Sequence, residues 1–258
     1  MCYLDFCLIH LIFAIIVPMN NLNYDPTNAG AGLTGSGQAG WQAAEQGFVT
    51  KVFNWMFLGL ATTAVVSFLV STNEMIVQAL YSNMMIMIIL SLGLFGLVIN
   101  ISANITKMSP QAAALNFFVY SALNGVLLSS IFLVYTKASI FSTFCVAAAT
   151  FGVMAIYGAT TKKDLTGLGS LCFMALIGLV IAQIVNMFLH NEGFASLLSY
   201  AGVLIFVGLT AYDVQKIKEI GRSVGYHPNM AISGALALYL DFINLFLSLL
   251  RIMGNRRD

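Results

Sequence analysis

Residues 234–254 read GALALYLDFINLFLSLLRIMG, a run long and apolar enough to cross a membrane as a helix, which needs about 20 predominantly apolar residues. Asp241 lies inside this run, and Asp213 ends the apolar run before it. A carboxylate at the centre of a bilayer costs about 2.5–3.5 kcal/mol on insertion scales, so such residues usually face a bundle interior or a watery cavity and carry a function. The two aspartates are therefore the first candidates for a functional site.

The composition of the whole chain is typical of a membrane protein. Apolar residues make up 59% of its 258 residues and charged residues only 8%, whereas soluble domains carry about 25% charged residues. The formal net charge of +1 gives no reason to expect nucleic acid as a partner. Three histidines and four cysteines show no spacing typical of a metal site or a disulfide framework. We therefore expect no cofactor and no catalytic residue.

Hydropathy predicts an all-α integral membrane protein, a bundle of seven transmembrane helices. The connections between the apolar runs are short, which is typical of antiparallel neighbours. The predicted spans are approximately Val52–Ser71, Met84–Ala103, Ala112–Tyr135, Ile140–Ala159, Gly167–Leu189, Phe194–Tyr212 and Ala231–Met253.

The first 47 residues are predicted to be a disordered segment ahead of a membrane domain at 48–258. Residues 20–47 are rich in Asn, Gly, Gln and Ala, a composition typical of disorder. The sequence from Met19 reads like a natural start, which leaves open that residues 1–18 come from a misassigned start codon. The GxGxxG pattern at 35–40 is interpreted as linker, because a dinucleotide site needs a preceding strand and a following helix.

The distribution of basic residues predicts a cytoplasmic N-terminus. With this orientation, seven Lys and Arg residues lie on the cytoplasmic side and the outer loops hold Lys137, as the positive-inside rule requires. The side of the C-terminal tail stays open at this point. Seven full spans put Arg251, Arg256 and Arg257 outside, whereas a re-entrant last segment returns them inside.

The last run carries a polar stripe. Asp241, Asn244, Ser248 and Arg251 are three, four and three residues apart, so they share one face of a helix. Such a face must line a bundle interior or a water-filled cavity. Weaker stripes, for which interhelical hydrogen bonds and a hydrated path are both open interpretations, contain Asn116, Tyr120 and Asn124 in the third run and Gln183, Asn186 and His190 in the fifth.

Physical chemistry restricts what the two aspartates can do if they meet. Two close carboxylates in a low dielectric cannot both ionise easily, so the pair can hold one shared proton. A hydrogen bond within the protonated pair could hold a pore shut. Full ionisation would force the helices apart or draw in a hard cation such as Ca²⁺, which prefers oxygen ligands. Contact between Asp213 and Asp241 is expected to require a tilted, broken or late-starting last helix.

The stretches around both aspartates, GLTAYDVQKIKEIG (208–221) and residues 234–254, closely resemble the transmembrane Bax inhibitor motif family. Residues 48–70 and 109–132 resemble its first and third helices, and KKDL (162–165) resembles its loop before the fifth. The resemblance implies a seven-helix fold in which six helices surround a central seventh. It also implies a pH-sensitive Ca²⁺ leak, closed by a di-aspartyl pair at the positions of Asp213 and Asp241, in a bacterial inner membrane.

The sequence departs from the family at one charged position. Some bacterial members carry an arginine near the end of the second helix that pairs with the aspartates. Here that neighbourhood holds Asn100, Asn104 and Lys107. Lys107 is the candidate substitute, and Asn244 and Arg251 are the further polar residues expected to support the pair.

The predicted function is a cation leak in the lipid bilayer, with Ca²⁺ as the transported ion and protons as the regulator, and not an enzyme. One alternative is a non-conducting regulator that binds a membrane-bound AAA protease, a partner that the resemblance implies, or another membrane protein. A further alternative is an intramembrane aspartyl protease. Tyr212 and Asp213 fit the first protease motif, but the GxGD and Pro-Ala-Leu motifs are absent.

Overall fold

The computed structural model describes residues 38–82, 84–223 and 228–257. Seven stretches of these residues are helical, long and apolar enough to cross a membrane, which confirms the predicted all-α membrane bundle. The third stretch contains two helices, and one short helix lies between the first two stretches. The helices are α1 (Gln38–Ser71), α2 (Glu74–Tyr81), α3 (Met84–Asn104), α4 (Pro110–Leu128), α5 (Ile131–Val134), α6 (Lys137–Thr160), α7 (Thr166–Leu189), α8 (Glu192–Ser223) and α9 (Pro228–Met253).

Polar capping residues set where several helices begin. The Ser109 hydroxyl accepts a hydrogen bond from the Ala112 backbone N–H at 3.2 Å and caps α4 ahead of Pro110. Thr136 caps α6 in the same way, accepting from the Ser139 N–H at 3.3 Å. Such side chains satisfy backbone donors that have no partner within the helix. Both helices therefore begin two or three residues before the apolar runs that predicted them.

The third span is interrupted, whereas the sequence predicted one continuous run. Helix α4 ends at Leu128, and α5 begins at Ile131 after a turn at residues 129–130. The Tyr81 hydroxyl of α2 lies 2.9 Å from the Ser129 hydroxyl and donates to the Leu127 carbonyl at 3.3 Å. The short helix α2, which hydropathy did not predict, thus supplies a polar partner for the interrupted backbone.

Two helices extend well beyond their predicted ends. Helix α1 begins at Gln38, so the prediction of disorder is wrong for residues 38–47; the predicted start at Met19 and the first residues of the GxGxxG pattern lie outside the described residues. Helix α8 continues to Ser223, eleven residues past its predicted end at Tyr212. Its added turns bury Val214, Ile217 and Ile220 on one face, an amphipathic pattern that hydropathy averages underestimate.

Helix α9 lies at the centre of the bundle. Of its most apolar stretch, 94% is buried inside the protein, compared with 28–56% for the other six spans. It packs mainly against α1, α4, α6 and α8, whereas α3 packs mainly on α4 and α7 on α8. The implied central seventh helix is therefore confirmed, although α3 and α7 form an outer layer and do not join a single ring of six.

The C-terminal tail lies at the end of the bundle opposite the start of α1. The Thr136 N–H donates to the Asn255 carbonyl at 3.1 Å, and the Arg257 N–H donates to the Val134 carbonyl at 2.9 Å. These contacts join the tail to the connection between the third and fourth spans. Helix α9 therefore crosses the whole bundle and is not re-entrant, which decides between the two alternatives for the tail.

Replacement of Gly158 by Ala is expected to destabilise the protein. A Cβ atom at Gly158 in α6 would collide with the backbone carbonyl oxygen of Ala211 in α8, which cannot move without shifting the helix. We expect a loss of about 1–3 kcal/mol in the free energy of unfolding, measured by thermal unfolding in detergent. Gly152→Ala, on the same helix with no atom within 4 Å of its added Cβ, is the control and should be neutral or stabilising. Equal effects of the two substitutions would contradict the close α6–α8 packing.

Candidate site at the α8–α9 contact

Asp213 on α8 and Asp241 on α9 are both buried, with 1% and 0% of their surfaces exposed. Close contacts lie on either side of them along this antiparallel helix pair. A Cβ at Gly202 would lie 2.8 Å from the Ser248 hydroxyl, and a Cβ at Gly234 would lie 3.2 Å from Ile217. The absence of side chains at these two glycines allows α8 and α9 to approach closely, which brings the two aspartates to the same level.

The meeting of the aspartates needs no tilt or break in α9. Because α8 continues to Ser223 and α9 begins at Pro228, Asp213 lies ten residues before the end of one helix and Asp241 thirteen residues after the start of the next. A distorted last helix was expected to bring the aspartates together because Asp213 was placed at the end of its helix. The added turns of α8 remove that requirement.

The two carboxyl groups are neighbours, close enough for each to act on the other. Among the described residues, none of their four oxygens has a hydrogen-bond partner. A carboxylate has no proton to donate, so a hydrogen bond between the two groups can form only when one of them is protonated. Ionisation of both would leave two buried negative charges with no donor, which is strongly unfavourable. The geometry therefore suits a pair that shares one proton.

Lys216 is the basic residue whose charge acts on the aspartate pair. It was not among the residues predicted to support the pair. Lys216 follows Asp213 by three residues on α8, is half buried, and its charge acts on Asp213. Its ammonium group lies 5.6 Å from the centre of the Tyr212 ring. Lys107, the predicted substitute for the family arginine, is exposed in the turn between α3 and α4. Spacing within the Tyr-Asp stretch could have identified Lys216, because residues three apart on a helix are neighbours.

The polar stripe on α9 continues from Asp241 toward the C-terminal end of the helix. Asn244 and Ser248 are completely or almost completely buried. The Asn244 amide donates to the Leu240 carbonyl at 2.8 Å within the same helix, and Ser248 packs against Gly202 of α8. Arg251 is partly exposed in the last turn. The stripe thus faces α8 near the aspartates and reaches the surface at its far end.

The opposite face of α9 is held by a hydrogen-bond network around Tyr239. The Tyr239 hydroxyl accepts a hydrogen bond from the Asn124 amide at 2.8 Å and lies 2.6 Å from the Thr63 hydroxyl. Thr63 in turn donates to the Ser121 carbonyl at 2.8 Å. Asn124 belongs to a stripe for which interhelical hydrogen bonding was one interpretation, and here it makes such a bond. The role of Tyr239 was missed because an aromatic residue in an apolar run carries no distinctive signal.

The aspartate pair offers few ligands for a bound metal ion. In the part of the chain that the structure describes, no group of three or more His, Cys, Asp or Glu side chains could hold a metal. The pair offers four carboxylate oxygens, whereas Ca²⁺ takes six to eight oxygen ligands. The two carboxyl groups alone therefore supply fewer ligands than a bound Ca²⁺ takes.

Known proteins are similar to this chain over most of its length, and the similar region includes both helices that carry the aspartates. The family model described as inhibitor of apoptosis-promoting Bax1 matches residues 45–258. The chain is 48% identical to the inner membrane protein YbhL of Escherichia coli strain K12, over 84% of this chain and 94% of that protein. It is 46% identical to an uncharacterized protein of Borreliella burgdorferi, over 82% of this chain and 93% of that protein, and 39% identical to one of Deinococcus radiodurans, over 82% and 91%.

Replacement of Tyr239 by Phe is expected to loosen α9 from α1 and α4. The change removes the hydroxyl that Asn124 donates to and that Thr63 contacts, and leaves these buried groups without that partner. We expect a loss of about 0.5–2 kcal/mol in unfolding free energy, measured by thermal unfolding in detergent. Tyr200→Phe, at a position that is 56% exposed, is the control and should leave stability unchanged. An unaltered Tyr239→Phe protein would show that the network does not anchor α9.

Proposed function

Because the chain belongs to the Bax inhibitor-like family of membrane proteins, we propose that it is a pH-sensitive cation leak with Ca²⁺ as the transported ion. The gate is the contact between Asp213 and Asp241. The observation that carries this proposal is the burial of two neighbouring carboxyl groups whose four oxygens have no hydrogen-bond partner among the described residues. An integral membrane protein with such a pair has a built-in response to protons.

The gate works through the proton that the two carboxyl groups share. With one proton present, the hydrogen bond joins α8 to α9 and the bundle is closed, because α9 fills its centre. Loss of that proton places two negative charges side by side in a low dielectric, where their repulsion is strong. The charges are relieved if α8 moves away from α9 and water or a cation enters between them. Proton loss therefore favours the conducting state.

The proposed setting is a bacterial inner membrane with the N-terminus in the cytoplasm. The similarity to an inner membrane protein of Escherichia coli supports the location. At the bundle end where α1 begins, the chain carries seven basic residues, namely Lys51, Lys107, Lys162, Lys163, Lys216, Lys218 and Arg222. The opposite end carries four, namely Lys137, Arg251, Arg256 and Arg257. The ratio of seven to four basic residues is smaller than the ratio of seven to one that was obtained without counting the C-terminal tail. It favours the same orientation.

The predicted alternative is a regulator that conducts no ion and binds a membrane protease or another membrane protein. In that case the aspartate pair is structural, and its proton serves only to join α8 to α9. Ca²⁺ flux no greater than that of empty vesicles, together with co-purification of a protease, would support this alternative against the leak.

Ca²⁺ flux into proteoliposomes between about pH 6 and 8 is the test of the proposal. Flux through the wild-type protein should rise with pH as the shared proton is lost. Asp213→Asn and Asp241→Asn should each give low flux with little pH dependence, because the amide can donate to the remaining carboxylate at any pH. Identical pH profiles for all three proteins would exclude the aspartate gate.

Asp164→Asn is the matched control for this measurement. Asp164 is exposed in the connection between α6 and α7. Hydrogen bonds from the Thr166 side chain and backbone hold the pKa of Asp164 below its ordinary value. Its carboxylate therefore stays ionised over the whole pH range, and its replacement should leave the flux profile unchanged.

A further inference from the structure

Glu45, near the start of α1, is a buried carboxylate with two basic partners on α8. Its side chain is 10% exposed and lies 3.5 Å from the Lys218 ammonium and 2.5 Å from the Arg222 guanidinium. Lys218 and Arg222 are four residues apart, so they lie on the same face of α8. The Glu45 side chain is largely removed from water and that of Lys218 is 25% exposed, so this pair is screened less than an ordinary surface ion pair, which contributes little. The Arg222 side chain is 57% exposed.

The same end of α8 is held by further contacts with α1 and α6. The Lys218 ammonium donates to the Ala159 carbonyl of α6 at 2.5 Å. A Cβ at Gly221 would lie 3.1 Å from the Phe48 ring. Glu45 and Phe48 are about one turn apart on α1, so an ionic contact and an apolar contact lie side by side. The last two turns of α8 are thereby joined to two neighbouring helices.

This joined end lies close to the aspartate gate. Lys218 follows Asp213 by five residues in one continuous helix. Ile217 of α8 and Val52 of α1 both lie against Gly234 of α9. A Cβ atom added at Gly234 would lie 3.2 Å from Ile217 and 3.4 Å from Val52. Helices α1, α8 and α9 therefore meet one turn from Asp213 and two turns from Asp241, and α8 cannot separate from α9 there without disturbing its contacts with α1.

We propose that Glu45 is a positioning residue for the aspartate gate: its bonds to Lys218 and Arg222 hold the Asp213 end of α8 against α9. This inference rests on the proposed leak, in which separation of α8 from α9 opens the path. Breaking the Glu45 contacts removes a restraint on α8 and leaves the carboxyl pair itself intact. The ion pairs of Glu45 add to the effect of the shared proton, and they favour the closed state at every pH.

The test compares Glu45→Gln with a charge-swapped double variant, Glu45→Arg with Arg222→Glu. Glu45→Gln should raise Ca²⁺ flux at acidic pH, where the wild type is closed, by at least about twofold, which corresponds to the lower end of the coupling between residues in contact. The double variant should restore low flux, because Glu at position 222 can pair with Arg at 45 and with Lys218 one turn earlier. Glu192→Gln, which breaks an exposed pair with Arg256 at 3.6 Å, is the control and should leave flux unchanged.

A second measurement separates failure of this inference from failure of the leak. Amide hydrogen exchange of residues 213–223, recorded on the same detergent-solubilised proteins, reports opening of α8 without any ion flux. Glu45→Gln should speed exchange in this segment, and the charge swap should reverse the change. If the wild type conducts nothing, the leak fails, and faster exchange reversed by the swap still supports the positioning role.

Three results would overturn the positioning role. The first is unchanged exchange in residues 213–223 when Glu45 is replaced by Gln, which would mean that Glu45 does not restrain α8. The second is faster exchange with unchanged flux in a conducting protein, which would limit Glu45 to a role in stability. Loss of flux control that the charge swap fails to restore would assign the effect of Glu45→Gln to something other than its ion pairs.

Discussion

The energetic cost of burying two carboxyl groups against each other is the constraint on which the rest of this bundle depends. Removing one ion from water costs several kcal/mol even after the protein relaxes, and the four carboxylate oxygens of Asp213 and Asp241 have no hydrogen-bond partner among the described residues. In the proposed gate, the contact between α8 and α9 is stable only while the pair holds a proton. Because α9 fills the centre of the bundle, any change in this contact changes the whole interior.

The contacts around the aspartate pair differ between α8 and α9, and in the proposed gate they determine which helix moves when the proton is lost. On the opposite face of α9, the Tyr239 hydroxyl joins α9 to Asn124 and Thr63, which belong to α4 and α1. These neutral hydrogen bonds do not depend on pH over the physiological range. Helix α8, in contrast, meets α9 through the ionisable pair, and its end is held by the pairs of Glu45 with Lys218 and Arg222. In the proposed gate, α8 is therefore the helix that moves.

Hydropathy predicted the fold almost completely, because spanning helices need long apolar runs, and the polar stripe correctly indicated an interior last helix. It did not predict that α8 continues to Ser223 or that α1 begins at Gln38, because polar residues in these turns lower the average hydropathy. The buried positions 214, 217 and 220 are three residues apart, a helical period that a search for amphipathic patterns could detect. The Glu45 pairs were beyond prediction, since they join residues 173 and 177 positions apart in the chain.

Infrared spectroscopy of the carboxyl C=O stretch at neutral pH can show whether Asp213 and Asp241 share one proton. If they do, the wild-type protein will have a protonated-carboxyl band that is absent from both Asp213→Asn and Asp241→Asn, because in each variant the amide takes over the donation to the remaining carboxylate. A wild-type spectrum without this band, or a band that persists unchanged in both variants, would contradict the shared proton.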